Sequence, residues 1–213
     1  MNKFDIFCDF LIDENKKINL TAITNPEEIK IKHIYDSLSV SEYIKDDSKV
    51  LDIGSGAGFP GIVVKIENPS LDMTLIDSVN KKVIFMNKAI SLLKLENIRA
   101  IHTRAEDFAI ENKEKFDYVL TRAVSNLSTL AEISIPFLKI NGIFIAMKGP
   151  NIKEEMEEAK FSINKMGGKI EKIVSKNIYG NSRNLVFVKK IKESPKGFPR
   201  SGNKAFKNPL KKI

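Results

Sequence analysis

Cysteine and histidine are scarce in this chain of 213 residues, which holds one cysteine, Cys8, and two histidines, His33 and His102. A single thiol cannot close an internal disulfide, so nothing points to an oxidising compartment. One thiol and two imidazoles cannot assemble a Cys/His zinc centre, and no metal is expected. No apolar run approaches the roughly 18 residues that a membrane-spanning helix needs. Asp5 and Asp9 interrupt the N-terminal apolar stretch, which disqualifies it as a secretory signal. The expectation is a soluble, cytoplasmic, monomeric protein with no membrane partner. Acidic surplus is missing too. Lys and Arg number 35 against 27 Asp and Glu, a formal charge of +8. That surplus is not spread over the chain. Residues 189–213 carry nine basic side chains and one acid, Glu193, while residues 1–188 carry 26 of each sign.

What is present reads as alternating strands and helices. Phe4, Phe7, Cys8, Leu11 and Ile12 repeat at helical spacing behind Asn2, a capping residue, and place Cys8 on the apolar face as a packed thiol. Asn25, Pro26, Glu27 and Glu28 open a second helix running to about Leu38. Short apolar runs at 50–53, 73–76, 98–102, 118–121 and 143–147 alternate with helical stretches at 59–67, 79–94 and 126–139. Ser78 is read as the cap of the second of these helices. A polar helix over 151–166 is followed by two apolar runs, 170–174 and 185–188, joined through Gly180-Asn181-Ser182. Strands separated by helices argue for a mostly parallel sheet, and the last two for a terminal antiparallel hairpin. The chain divides into a helical cap (1–45), an α/β domain (46–190) and a basic tail (191–213), flexible by its composition.

The most informative stretch is Val50-Leu51-Asp52-Ile53-Gly54-Ser55-Gly56-Ala57-Gly58-Phe59-Pro60-Gly61. A buried strand delivers the chain to alternating glycines, and a helix follows. Glycine permits positive φ and close approach of a ligand to the backbone, and the helix start behind it offers free N–H groups. Asp77 ends the next strand, where a carboxylate can accept the ribose hydroxyls of NAD or of S-adenosylmethionine. Asp52 within the strand and the terminal hairpin favour the second cofactor. Together these features resemble class I S-adenosylmethionine-dependent methyltransferases, with a Rossmann-like α/β fold.

A sharper resemblance covers nearly the whole chain. Asn19-Leu20-Thr21, His33-Ile34-Tyr35-Asp36-Ser37-Leu38, the glycine stretch above, Asp77-Ser78 with Lys81-Lys82 and Phe85, Arg104-Ala105-Glu106, Thr121-Arg122-Ala123 and Lys148-Gly149 follow one another as in the RsmG (GidB) family. That family's members methylate N7 of a guanine in 16S ribosomal RNA of the small subunit. The resemblance implies that Gly54 and Phe59 line the methionine and loop side of the cofactor site; Gly56, from the glycine spacing, is read as a cofactor-binding residue too. The same resemblance places Ala105 and Glu106 beside the adenine, with Arg122 closing the pocket; Asp77, from its place at the carboxyl end of a strand, is read as the ribose ligand. The departures are a short N-terminal region and Thr121, where the family often has serine or alanine.

Guanine N7 carries a free lone pair at pH 7, so its methylation needs alignment rather than a base or covalent nucleophile. The sequence fits this: Cys8, the only thiol, lies in the first helix, and no Asn/Asp-Pro-Pro-aromatic motif follows the fourth strand. Asp52 has two readings, supporting the loop or binding the cofactor's amino group. Alone, Glu106 reads as a helix-start acid. His33 reads as packing or capping, His102 as structural. Arg122 is read as a site residue rather than a structural ion pair. Lys148 is divided between RNA phosphate and an ordinary surface lysine. Arg200, between Phe198 and Phe206 in the basic tail, is read as an RNA contact, since cations neutralise phosphate and rings stack on unpaired bases. The rivals are a small-molecule methyltransferase and a non-catalytic RNA-binding assembly factor with a vestigial pocket.

Overall fold

Asn2 does cap the first helix, its side chain accepting from the Asp5 N–H, and α1 (Lys3–Ile18) buries Phe7, Cys8 and Leu11. A computed structural model of the chain describes residues 2–122 and 125–211. Ala123 of the Thr121-Arg122-Ala123 motif and Lys212 of the tail lie outside the described residues. The chain falls into two units, Met1–Thr103 and Arg104–Ile213.

In the first unit Asn25 accepts from the Glu28 N–H and Pro26 opens α2 (Pro26–Ile29). The helix widens through a π-helical stretch (Lys30–Tyr35) and ends as α3 (Asp36–Leu38). Then come β1 (Lys49–Ile53), α4 (Gly61–Glu67), β2 (Asp72–Asp77), α5 (Asn80–Leu92) and β3 (Ile98–His102). β2 pairs parallel with both β1 and β3, Ile53 lying opposite Ile76 and Asp77 opposite His102. Val50, Leu51, Ile53, Met73, Leu75 and Ile76 are all buried. A strand covered on both faces reads as an unbroken apolar run, and each such side chain contributes about 1.5–3 kcal/mol. Ser78 does not cap α5. The cap position is Val79, whose N–H is taken by Asp77 Oδ1 at 2.8 Å. A carboxylate two residues upstream reaches that N–H as an Asx turn, leaving the Ser78 side chain exposed.

The second unit holds α6 (Ala105–Asn112), β4 (Phe116–Arg122), α7 (Leu127–Ser134), β5 (Leu138–Lys148), α8 (Lys153–Lys165), β6 (Gly168–Ile178), β7 (Asn181–Lys190) and α9 (Lys204–Lys207). α6 lies where no helical stretch is read from the sequence, although Glu106 alone reads as a helix-start acid. The helix expected over 126–139 stops at Ser134, because Pro136 has no N–H for the α ladder, and a single 3-10 turn (Ile135–Phe137) follows. β4 and β5 are parallel; β7 runs antiparallel to β5 and β6. Tyr179 (φ 48°) and Gly180 (φ 83°) make the hairpin turn, both at the positive φ that two-residue turns require. Within the first unit the strands run in the order β3-β2-β1, and within the second in the order β4-β5-β7-β6.

The tail is not the loose arm its composition suggests. Pro199 and Ala205 are buried. Thr129 Oγ1 of α7 donates to the Ala205 carbonyl at 3.0 Å, and Ser128 Oγ to that of Leu210 at 2.7 Å. Ser194 Oγ donates to the Met166 carbonyl. Polar anchors from a buried helix here replace the apolar burial that the segment lacks.

Candidate functional site

In the first unit, β1 delivers the chain to the glycine loop and two carboxylates lock that loop. Asp52, fully buried, accepts the Gly61 N–H on Oδ2 at 2.9 Å. This bond supports the loop, the first of Asp52's two readings. A Cβ on Gly61 would strike Leu75 and lie 2.8 Å from Asp52 Oδ2, so only glycine lets α4 start this close to β1 and β2. Asp77, 6% exposed, accepts the Gly56 N–H on Oδ2 at 2.9 Å while its Oδ1 holds Val79. A carboxylate offers about four acceptor positions, so capacity for a diol remains. Gly56 sits at φ +60°, and a Cβ there would meet nothing nearer than the Gly54 carbonyl at 4.0 Å. Packing therefore does not demand this glycine. Its backbone is a bare surface next to an acid, which fits the ribose side of a nucleoside cofactor.

Phe59 points elsewhere. Its ring is 4% exposed, 5.3 Å from Phe7 and stacked 4.7 Å from His33. The side chain belongs to an aromatic cluster with Phe7, Phe10 and Phe85. His33 Nδ1 faces the Lys32 carbonyl, which only accepts, so that nitrogen carries the proton. Nε2 then accepts from the Thr21 hydroxyl at 2.9 Å, which in turn accepts the Ile23 N–H. His33 thus packs and accepts, in line with its packing reading. Asn15 completes the support, its Oδ1 taking the N–H groups of Leu20 and Thr21 and its Nδ2 donating to the Thr21 carbonyl. Asn15 was missed by motif reading because nothing in its local pattern marks it. His102 Nε2 bonds the Ser78 carbonyl, a structural role.

In the second unit Ala105 and Glu106, each 8% exposed, lie in the first turn of α6. Glu106 is therefore a helix-start acid, favourably placed at the positive end of the dipole. Its Oε1 accepts the Asn203 N–H at 2.9 Å. Arg122 ends β4, opposite Met147 of β5. Lys148 ends β5 half-hidden: its Nζ lies 2.6 Å from Glu155 Oε1 and donates to the Ser125 carbonyl at 2.8 Å. Glu155 Oε1 also accepts the Leu127 N–H. The ammonium ties the start of α7 to α8, and the surface-lysine and phosphate readings both give way to this junction. Arg200 is likewise occupied. Its Nε and Nη2 fork onto Glu132 at 2.8 and 2.7 Å, its own N–H adds a third bond, and Nη2 also reaches the Asn208 carbonyl. Glu132 is fully buried. The guanidinium's first duty is to neutralise that acid, which raises the Arg200 pKa further. Sequence reasoning missed Glu132, although an acid within the apolar run Leu127-Ser128-Thr129-Leu130-Ala131-Glu132-Ile133 is itself a signal of a buried partner.

Burial raises the Cys8 thiol from 9.0 to about 11, so it is protonated at neutral pH and no nucleophile. Among the described residues no three His, Cys, Asp or Glu side chains converge to hold a metal, and no helix is long and apolar enough to cross a membrane.

The family model described as rRNA small subunit methyltransferase G (GidB) matches residues 1–186. The ribosomal RNA small subunit methyltransferase G of Clostridium perfringens (strain 13 / Type A) is 45% identical over 215 residues, 98% of this chain and 90% of that protein. Its counterpart in Lachnoclostridium phytofermentans is 45% identical over 216 residues, 99% of this chain and 89% of that one. Among solved structures, M. jannaschii TYW2 in complex with AdoMet matches with a TM-score of 0.60 at 19% identity, over 75% of this chain and 76% of that chain. A SAM-dependent O-methyltransferase from Thermotoga maritima matches at 0.57 and 14%, over 87% and 73%. At such identities these structures speak for the fold, which is that of class I methyltransferases. The glycine loop with its two carboxylates, the sheet order and a match along almost the entire chain lead to one conclusion: the chain belongs to the rRNA small subunit methyltransferase G (GidB) family.

Proposed function

We propose that this chain is an S-adenosylmethionine-dependent methyltransferase acting on N7 of a guanine in 16S rRNA, working as a cytoplasmic monomer on the RNA or on the small subunit. Family membership over residues 1–186 carries the reading. The bare Gly56 backbone beside Asp77 supports the cofactor assignment. Gly54, Gly56 and Asp77 serve the cofactor's methionine and ribose, Phe59 holding the loop from behind. Ala105 and Glu106 serve the adenine and Arg122 closes the site.

Bound S-adenosylmethionine supplies an electrophilic methyl group on a sulfonium. Gly54, Gly56 and Asp77 would hold the cofactor with that methyl group open to the N7 lone pair of a guanine, a transfer that needs no activating base. No proton moves in that step, so the protein's residues bind, align and exclude water rather than act as acid or base. In-line access calls for a guanine splayed from its stack.

The tail contributes RNA affinity through Lys192, Lys196, Lys204, Lys207 and Lys211, all exposed. Lys190 and Arg200 are spent on Glu114 and Glu132. The test is to map N7-methylguanine in 16S rRNA with and without the protein and to titrate S-adenosylmethionine and NADH calorimetrically. A new N7-methyl mark and binding of the methyl donor alone are expected. Unchanged N7 methylation, or binding of NADH instead, overturns the proposal.

A further inference from the structure

Glu106 does not stand alone at the start of α6: one of its two carboxylate oxygens is held by the tail. Oε1 accepts the Asn203 N–H at 2.9 Å, and Asn203 sits at φ +63° just after Gly202 at φ +68°. That double left-handed turn is anchored on both sides by α7. Upstream, Arg200 makes three bonds to the fully buried Glu132. Downstream, Thr129 and Ser128 hold the Ala205 and Leu210 carbonyls. Arg200 Nη2 also bonds the Asn208 carbonyl, tying the segment back on itself. The result is a strap, residues 200–210, with a recess of about 330 Å³ between it and the start of α6, lined by Arg104, Glu106, Asp107, Gly202, Asn203 and Lys207.

We propose that this strap is a positioning element for the cofactor site: by pinning Glu106 Oε1 through the Asn203 N–H, it aims the second carboxylate oxygen, Oε2, at the adenine amino group. The inference rests on the assignment of Glu106 to the adenine made above. A flexible glutamate loses rotamer entropy when it orders on a ligand; one already held by a main-chain donor has lost it beforehand, and binding gains accordingly. A carboxylate only accepts, so it favours adenine, which presents an N–H there, over hypoxanthine, which presents a carbonyl. The basic tail therefore has two separable jobs. Its exposed lysines meet RNA, and its Arg200–Asn203 core sets cofactor affinity and base discrimination.

The test measures Kd for S-adenosylhomocysteine and for its inosine counterpart in the full-length protein. The wild type is expected to prefer the adenine compound by about tenfold or more. Asn203→Pro removes the N–H, and Arg200→Lys loosens the fork without creating an unpaired buried acid. Each should bring the preference below about threefold, while Asn203→Gly, which keeps both the N–H and the left-handed backbone, restores it. Because the preference is a ratio, partial unfolding does not mimic its loss, and Arg200→Lys carries the test if Asn203→Pro does not fold. In a Glu106→Ala background, which has no side-chain acceptor, Asn203→Pro should change affinity by less than about twofold, since coupled residues act through one bond. Undiminished preference and affinity in both strap variants overturn the strap. A wild type that binds the methyl donor without preferring adenine overturns instead the assignment of Glu106 on which the strap depends.

Discussion

Replacing Arg200 with alanine distinguishes a docked tail from a free one. Glu132 has no exposure, and Arg200 supplies the opposite charge as well as two side-chain bonds at 2.8 and 2.7 Å. Stripping the partner from a buried ion pair costs about 3–5 kcal/mol because the remaining charge is desolvated. Arg200 keeps a quarter of its side chain in water, so water reaches the vacated site and about 2–4 kcal/mol is the expected loss. For a protein of this length each kcal/mol moves Tm by about 2–4 °C, giving a fall of roughly 4–16 °C. The origin of the loss can be checked in the same experiment. Glu132→Gln added to Arg200→Ala removes the stranded charge and should recover part of the stability, so the double variant melts above the single. The difference should persist in 1 M salt, which screens exposed charges far more than buried ones. The assay is thermal unfolding by circular dichroism at pH 7.5. An Arg200→Ala protein melting with the wild type would refute the docked tail.

Other consequences follow from single contacts. Gly61→Ala places a methyl against Leu75 and Asp52 and should cost about 1–3 kcal/mol in urea unfolding, whereas Gly56→Asn, which tolerates the φ of +60° and faces open space, should chiefly abolish S-adenosylmethionine binding in calorimetry. Cys8, with its thiol pKa at about 11, is roughly one part in a thousand thiolate at pH 8 and should react with a thiol reagent only as fast as the protein unfolds. The folded pKa exceeds the unfolded one, so this group's contribution is intact below pH 9 and is lost as pH rises towards 11, which alkaline unfolding titrations can follow. Lys192→Ala with Lys196→Ala should flatten the salt dependence of RNA binding by one to two in log–log slope, at about 0.7–0.9 per phosphate contact, and leave the cofactor Kd within about twofold. Lys148→Ala should lower Tm by releasing Glu155 and the start of α7, with little change in that slope.

The local rules of the chain were legible before any coordinates. Asn2, Asn25 and Pro26 announce two helix starts, and unbroken apolar runs announce strands buried on both faces, because caps and side-chain periodicity depend on near neighbours. The glycine spacing likewise marks the sharp loop between β1 and α4, since backbone conformation there is set residue by residue. Tertiary contacts decided the rest. Ser78 looks like a cap, yet Asp77 takes the bond because the turn brings its carboxylate nearer. Phe59 stands in the glycine loop, yet its ring goes to Phe7 and His33. Lys148 and Arg200 read as cations for RNA, yet Glu155 and Glu132, far from or hidden to any local window, claim them first. The basic tail shows the division most clearly. Composition alone establishes that residues 189–213 hold the chain's whole charge surplus. Only the fold separates cations that neutralise buried acids from those left in water, because desolvation depends on what surrounds a charge in space and not on its neighbours along the chain.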